Sequence, residues 1–457
     1  MQTDRLANLQ KIKDLGYNPY LENNQKLNSG IFDLLQSSTF LLDKDARING
    51  RITSKRVMGN MAFLNLSFSS VPFDKICSIQ LVFKTGLSRE GWKDFVKALD
   101  IGDIVYVEGK TGLTQTEERS IFVEDFTILT KSLEPIPFGK QTEDASYNTV
   151  SDEETLLRHR HLALLTNSDL REKLVNKSRL ISLIRRFLSF TMIEVQTPIL
   201  LQNPGGAEAK TFDTVYNAHN TEVKLRISLE IQLKKLLCGG FNNIFEIGTV
   251  FRNEGVSSKH NPEFTLLEYY DSYFDFQQGI EKFQNLMSKL GYFLKNKSFS
   301  NPKIITMKEA FSTFAEVDLD ELLKEPDAIE LIDSILKEKV EPNFTGFWIL
   351  TEHPAIISPL ARCKNYPYSE RFEAYFDGVE IANGFCEQND PQLQLEVLKK
   401  QSEDLGTPLD NEFIYALSCG MPPAFGVGIG IERLAMAIFG ASHIKEVSWF
   451  PFVKNSE

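Results

Sequence analysis

The sequence is poor in the features that would send it out of the cell or into a bilayer. Its first residues, MQTDRLANLQKIKDLGYNPY, hold no apolar run of signal-peptide type, and no uninterrupted apolar stretch in the 457 residues is long enough to span a membrane. A cytoplasmic location is the expectation. Cysteine is scarce as well: Cys77, Cys238, Cys363, Cys386 and Cys419 stand singly, with no CxxC spacing and no histidine at a zinc-like interval, so they read as free thiols. A basic excess is also missing. The formal charge is −12, which argues against bulk electrostatic attraction to nucleic acid and leaves only local basic patches for that purpose. There is no internal repeat and no low-complexity tract.

What remains is the sequence of a globular protein large enough for two domains, with 42% hydrophobic and 25% charged residues. Leu6, Leu9, Ile12 and Leu15 lie at near-helical spacing until Gly16 and Pro19 end the pattern, which predicts a short helix. From about Ala46 to Leu129 the pattern turns to five short strands, ARINGRITSKRV, MAFLNLSF, SIQLVF, DIVYVEGKTGL and RSIFVEDFTIL, with one helical interval at REGWKDFVKAL. Five strands around one helix predict an OB-type barrel. Glu134–Thr149, with Pro135, Pro137 and Gly139, reads as a linker. It divides the chain into an N-terminal domain over 1–140 and a second domain over 141–457. The second opens on a helix over Leu170–Phe190, then a strand interrupted by Pro198, and its pieces NNIFEIGTVFRNE, EFTLLEYYDSYF and RFEAYFDGVEIANGF predict an antiparallel sheet flanked by helices, an α+β arrangement.

The densest chemistry lies between Phe251 and Tyr270. Alternation along a strand sets Arg252 with Glu254 on one face, and Phe264, Leu266, Glu268 and Tyr270 on another. Taken singly, such residues make ordinary solvated ion pairs. Together, FRNEGVSSKHNPEFTLLEYY resembles motif 2 of the class II aminoacyl-tRNA synthetases in its lysyl form. The resemblance extends over nearly the whole chain, through NPGGAEAKTF from Asn203, LRISLEIQLKKLLCGGF from Leu225, SPLARC from Ser358, RFEAYFDGVEIANGFCEQND from Arg371 and GVGIGIERLAM from Gly426, in the family's order.

The resemblance implies a homodimeric enzyme that activates L-lysine with ATP and transfers it to the 3′ end of lysine tRNA, releasing diphosphate and AMP. Two anions must meet in the first step, the substrate carboxylate and the ATP α-phosphate. A fixed, desolvated cation is therefore required, and the resemblance assigns it to Arg252. It assigns Glu373 and Glu380 to Mg2+ on the ATP phosphates, hard oxygen ligands for a metal that keeps much of its water. Adenine would stack between Phe264 and Arg433 with Glu254 at its amino edge, and His260 and Asn261 would contact nucleotide. Singly, Glu373 and Glu380 read as surface acids, His260 as a solvated loop residue, and the alternating Gly426, Gly428 and Gly430 as a tight-packing run.

Substrate choice rests on charge. A free lysine carries two ammonium groups and one carboxylate, and Asn383, Phe385 and Glu387 share one strand face, offering a polar contact, an apolar wall and a carboxylate. The resemblance gives the ε-ammonium to Glu268, Glu387 and Tyr270, and the α-ammonium to Glu230 with the backbone at Gly206. Aspartate or asparagine would meet facing carboxylates, and unpaired buried charge rejects a ligand severely. Glu380 falls out of phase with Asn383, so either the strand bulges there or Glu380 acts from the other side. In the N-terminal domain, Phe63 and Gln80 fall on the polar faces of their strands, a stacking ring and an amide suited to unpaired bases. The resemblance adds Arg56, and Lys55 with Arg56 supplies local positive charge.

The sequence departs from the family pattern at Ser228-Leu229 before Glu230, at Ala382, Cys386, Cys363 and Phe425, and at Thr191 near a usual motif 1 glycine. Ala382, Cys386 and Phe425 are expected to reshape the pockets, and the interval from Phe274 to Ser358 is short. Two rival functions are a lysyl-transferase that modifies protein, whose members lack the N-terminal barrel, and an inactive binding protein, which would have lost Arg252, Glu373, Glu380 or Arg433.

Overall fold

The computed structural model describes residues 2–20, 41–70, 75–138, 140–141, 146–147, 152–207, 209–294, 299, 301–405 and 409–453. Much of the linker expected at Glu134–Thr149 lies outside them. The chain forms two compact units, Met1–Glu172 and Lys173–Glu457.

In the first unit, α1 (Gln2–Asp14) precedes β1 (Asp45–Met58), β2 (Met61–Ser70), β3 (Lys75–Lys84), α2 (Trp92–Ala98), β4 (Ile104–Leu113) and β5 (Arg119–Thr130). The strands close in the order β1-β2-β3-β5-β4. Closure removes the open edges that such a sheet would otherwise present. Alternation sends Leu64, Leu66, Leu81 and Phe83 inward onto Phe95 of α2, and leaves Phe63 and Gln80 on the outer face. The expected first helix is present, but only its Ile12 is buried, while Leu6 and Leu15 stay exposed.

The second unit is built on an eight-stranded sheet. Its strands are β6 (Ile193–Glu194), β7 (Asn243–Phe251), β8 (Glu263–Ser272), β9 (Lys303–Thr306), β10 (Phe347–Thr351), β11 (Arg371–Phe376), β12 (Val379–Cys386) and β13 (Ala424–Gly430). Across the sheet the order is β9-β10-β11-β12-β13-β8-β7-β6, antiparallel inside and parallel only in the outermost pair at each edge. Beside it run α3 (Ser168–Leu188), α4 (Glu230–Cys238), α5 (Phe276–Phe293), α6 (Asn411–Ser418) and α7 (Ile431–Phe439). The strand expected around Pro198 is two short pieces, Ile193–Glu194 and Leu200–Leu201, which join different sheets because proline interrupts the ladder between them.

One face of the large sheet packs with α3, α5 and α7 around Phe283, Phe372, Phe425, Val427 and Leu267. This corrects the expectation for Ala382, Cys386 and Phe425. All three belong to that core layer, on the side away from Asn383 and Phe385. Phe425 stacks on Phe372 with the ring planes 4° apart. Its bulk is accommodated by Gly279 of α5, where a Cβ would lie 2.2 Å from Phe425 Cδ1.

The β11–β12 pairing shifts register at one point: Ala374 faces Ala382, yet Tyr375 faces Glu380. Ile381 is the extra residue of a β-bulge. The bulge answers the phase question, because it returns Glu380 to the face that carries Asn383 and Phe385. Substituting Gly279→Ala overpacks the Phe425 contact and is expected to cost about 1–3 kcal/mol. Urea unfolding measures the loss, and adding Phe425→Leu should recover part of it.

Candidate active site

Register places the chemistry in rows. Glu246, Glu268, Gly428, Asn383 and Glu373 lie side by side across β7, β8, β13, β12 and β11, and the next row holds Ile244, Tyr270, Gly426, Phe385 and Arg371. The centre of each row is a glycine. A Cβ on Gly426 would fall 2.3 Å from Glu387 Oε1 and 2.5 Å from Tyr270 Cε1, so only glycine lets these two side chains meet above the strand. The glycine strand thus makes room for side chains of the site at Gly426.

Three carboxylates converge there. Glu268 Oε1 accepts hydrogen bonds from Ser228 Oγ and the Leu229 amide, both at 3.1 Å, and Oε2 accepts from Tyr270 Oη at 3.0 Å. Glu230 opens α4, and Gly206, at φ +87°, packs so tightly over it that an added Cβ would be 2.9 Å from Glu230 Cβ. Glu387 follows β12, anchored by its amide to the Ala424 carbonyl at 2.8 Å. Both of its oxygens are buried without a well-aligned hydrogen bond, and of the two only Oε2 has an ion-pair partner. Burial pushes Glu268 up to about 7, aided by the Glu230 charge. Burial likewise pushes Glu387 up to about 8, with Lys234 opposing the rise.

Lys234 is the residue the sequence reading missed. Its Nζ lies 2.5 Å from both Glu230 Oε1 and Glu387 Oε2, and 5.4 Å from the centre of the Phe385 ring. Its side chain is completely buried. The two carboxylates outweigh burial and hold it firmly charged, above the ordinary lysine range.

Beside this pocket lies a cationic wall. β7 ends at Phe251, so Arg252 and Glu254 lie past the strand and not on it as expected; the ladder is prolonged only by the Arg252 amide to the Pro262 carbonyl at 2.8 Å. The Arg252 guanidinium lies 5.2 Å from the Phe264 ring centre, within electrostatic reach of Glu254, Glu380, Glu268 and Arg433. Burial is what lowers its pKa most. Arg433 donates to Glu380 Oε2 at 2.9 Å and meets His260 Nε2 at 2.8 Å. Burial and the Arg433 charge depress the His260 pKa, which favours the neutral imidazole. Asn261 turns its amide to Ser448 Oγ at 3.1 Å, and Glu254 is exposed.

Glu373 is held by Arg371 at 2.6 Å and by the Tyr375 hydroxyl, and lies 3.3 Å from His353 Nε2. Arg371 also donates to Asn383 Oδ1 at 3.0 Å, so the Asn383 amide nitrogen faces onward. The Arg371 charge, with hydrogen bonds from its neighbours, holds Glu373 far below the usual carboxylate range despite burial, so it stays ionised. A third acid, Glu341, feels both Glu373 and Glu380; burial and those charges push it up to about 7. Among the described residues no three His, Cys, Asp or Glu side chains stand close enough to form a metal cage.

Comparison with known proteins matches residues 152–454 to tRNA synthetases class II (D, K and N), and residues 46–129 to an OB-fold nucleic acid binding domain. The chain belongs to the class II tRNA synthetases. Similar curated proteins include the lysine–tRNA ligase of Dehalococcoides mccartyi, 33% identical over all of this chain and 98% of its own length. That of Clostridium tetani is 34% identical over 91% of this chain and 88% of its own, and that of Helicobacter pylori 33% identical over 98% and 96%.

In this synthetase the barrel carries its own polar recess. Arg56 pairs across from Phe63, and Asn65 across from Gln80, so the residues expected to touch RNA share the outer face. Gln80 Nε2 donates to Glu118 Oε2 at 2.7 Å and its Oε1 accepts from Ser120 at 3.0 Å, in a recess also lined by Asn65, Ser78 and Arg119. Lys55 is a correction. Its ammonium donates to the carbonyls of Val96, Lys97 and Leu99 at the end of α2, a use of lysine that the helix C-terminus favours, and it adds no free charge beside Arg56.

Proposed function

We propose that this synthetase activates L-lysine with ATP to lysyl-adenylate and transfers it to the 3′ end of lysine tRNA. The observation that carries the proposal is the buried trio Glu230, Glu268 and Glu387, with Glu387 Oε1 left without a donor, beside the half-buried Arg252. Such a pocket demands ammonium groups at one end and an anion at the other. Glu268, Glu387 and Tyr270 take the ε-ammonium, Phe385 walls the aliphatic stem, and Asn383 supplies a polar contact. Glu230 and the Gly206 backbone take the α-ammonium. Names borne by similar proteins point the same way.

Arg252 lies where it can draw the substrate carboxylate towards the α-phosphate, stabilising the charge that builds as the two anions meet. No side chain need become covalently attached, and the catalytic effect is one of positioning and electrostatics. Phe264 and Arg433 hold adenine, with Glu254 at its amino edge and His260 and Asn261 in the adjoining loop. Glu373 and Glu380 offer two carboxylates on adjacent strands, which fits a Mg2+ bound chiefly by phosphate oxygens and water. When bound, the ion would neutralise phosphate charge.

Arg56, Phe63 and Gln80 form the anticodon face, Phe63 for stacking and Gln80 for base edges. The domain over 1–140 serves that recognition, and 141–457 the chemistry. A homodimer is favoured by Phe190 and Tyr292, both 80% exposed, and by Ile193 on the edge strand β6. Among the described residues no helix is long and apolar enough to cross a membrane.

Pyrophosphate exchange with a panel of amino acids should proceed with lysine and not with aspartate or asparagine, and tRNA charging should follow. Exchange without charging would favour the protein-modifying alternative, and an Arg252→Ala variant with full exchange would refute the central role of Arg252. Sedimentation should give twice the single-chain mass; a monomer would refute the dimer. Lysine binding should also depend on pH. Ammonium binds the ionised acids, and Glu268 and Glu387 are partly neutral below about 7 and about 8. The KM for lysine should therefore fall as pH rises from about 6 to about 8, and a flat profile would sink this account.

A further inference from the structure

Every acid in the amino-acid pocket has been assigned to an ammonium of the substrate, yet the pocket already contains an ammonium. Lys234 reaches from the second turn of α4 and is enclosed on all sides. Glu230 faces it from its own helix, Glu387 from the end of β12, Phe385 from β12 and Phe413 from α6. Glu268 and Tyr270 of β8 complete the charged and titratable groups around those two acids. Burying a lysine so completely is costly unless its charge is matched.

The pairing is asymmetric. Lys234 engages one oxygen of Glu230 and one of Glu387, Oε2, while Glu387 Oε1 keeps no partner. Lys234 thus holds Glu387 from one side and leaves its other oxygen facing the gap that Gly426 keeps open beside Tyr270. Charges in the filled pocket then balance: three carboxylates against Lys234 and the two ammonium groups of a bound lysine, with the substrate carboxylate left to Arg252. Without Lys234, three acids would crowd a buried space and hold protons that the substrate must displace.

We propose that Lys234 is the resident counter-cation of the amino-acid pocket, a positioning residue that faces Glu230 and Glu387 with a matching charge and keeps both aimed while reserving one Glu387 oxygen for the substrate. The inference rests on the assignment of lysine as substrate, and it deepens that assignment by fixing how many positive charges the pocket accepts. A purely mechanical alternative is that Lys234 only ties α4 to the end of β12.

The test is lysine-dependent pyrophosphate exchange across a range of pH for the unaltered enzyme, Lys234→Met and Lys234→Arg. In Lys234→Met, the pH region where the lysine KM falls should move upward by about one unit or more, raising that KM about tenfold at neutral pH. The KM for ATP should stay within about threefold, since the ATP groups lie outside this charge cluster. Lys234→Arg should return the profile towards that of the unaltered enzyme. A KM raised equally at every pH, or raised equally for ATP and lysine, would overturn the proposal in favour of the mechanical tie.

Should Lys234→Met fail to fold, calorimetry of lysine binding to the unaltered enzyme in buffers of different ionisation enthalpy still decides the matter. Release of about one and a half protons or fewer at pH 7, as Glu268 at about 7 and Glu387 at about 8 give beside Lys234, supports a resident cation, and release of two or more overturns it. If the unaltered enzyme activates a different amino acid, the assignment of function fails. If it activates lysine and the profile of Lys234→Met does not move, only the role of Lys234 fails.

Discussion

The site depends on a strand that has almost no side chains on one of its two faces. β13 runs between β8 and β12, and its glycines at 426 and 428 face Tyr270 and Glu268 on one side, Phe385 and Asn383 on the other. Because cross-strand neighbours in an antiparallel sheet lie only about 5 Å apart, any larger residue at Gly426 would fill the space where Glu387 and Tyr270 converge. The register must also be right to the residue, since a slip by one would turn Glu268 into the core and Leu267 into the pocket. Both the three-acid pocket and its access to Arg252 follow from that one constraint.

The second constraint is charge. Among the described residues of the second unit, nearly every buried acid has a fixed cation: Glu246 has Arg226, Glu373 has Arg371, Glu432 has Lys177, Asp271 has Lys282, and Glu230 with Glu387 shares Lys234. Glu268 is the exception, held by neutral donors alone. A carboxylate held this way keeps its direction but gains little from its surroundings to offset desolvation, so its ionisation is the most dependent on an arriving ammonium.

Much of this was legible in the sequence. The barrel, the sheet, the shared faces of Glu268 with Tyr270 and of Phe385 with Glu387, and the outward aspect of Phe63 and Gln80 follow from period-two alternation and turn residues, whereas the meeting of those two faces was implied only by the family resemblance. The inward aspect of Phe425, Cys386 and Ala382 was equally available: each is an odd step from a residue placed in the site, Gly426, Phe385 or Asn383. Their size drew attention before their phase did. The bulge at Ile381 left one trace, the misfit of Glu380 with Asn383. Lys234 left less. A Glu-to-Lys spacing of four on a helix ordinarily marks a solvated surface pair, and only the packing of α6 and β12 over α4 turns that pair inward. The engagement of Lys55 with the end of α2 depended on a contact more than forty residues away along the chain, beyond the reach of local pattern.

Gly279 and Phe425 have a consequence for how this chain can change. The ring occupies the volume that any side chain at position 279 would need, and stacking on Phe372 holds it there. A mutation enlarging Gly279 is harmful while Phe425 persists, and one shrinking Phe425 leaves a void while Gly279 persists. The two positions are free to drift only in concert, so the order in which substitutions arise matters more than which ones do. Directly behind the pocket, the layer beneath the glycine strand is coupled in this way, and attempts to retune substrate choice from that side must move two residues at once.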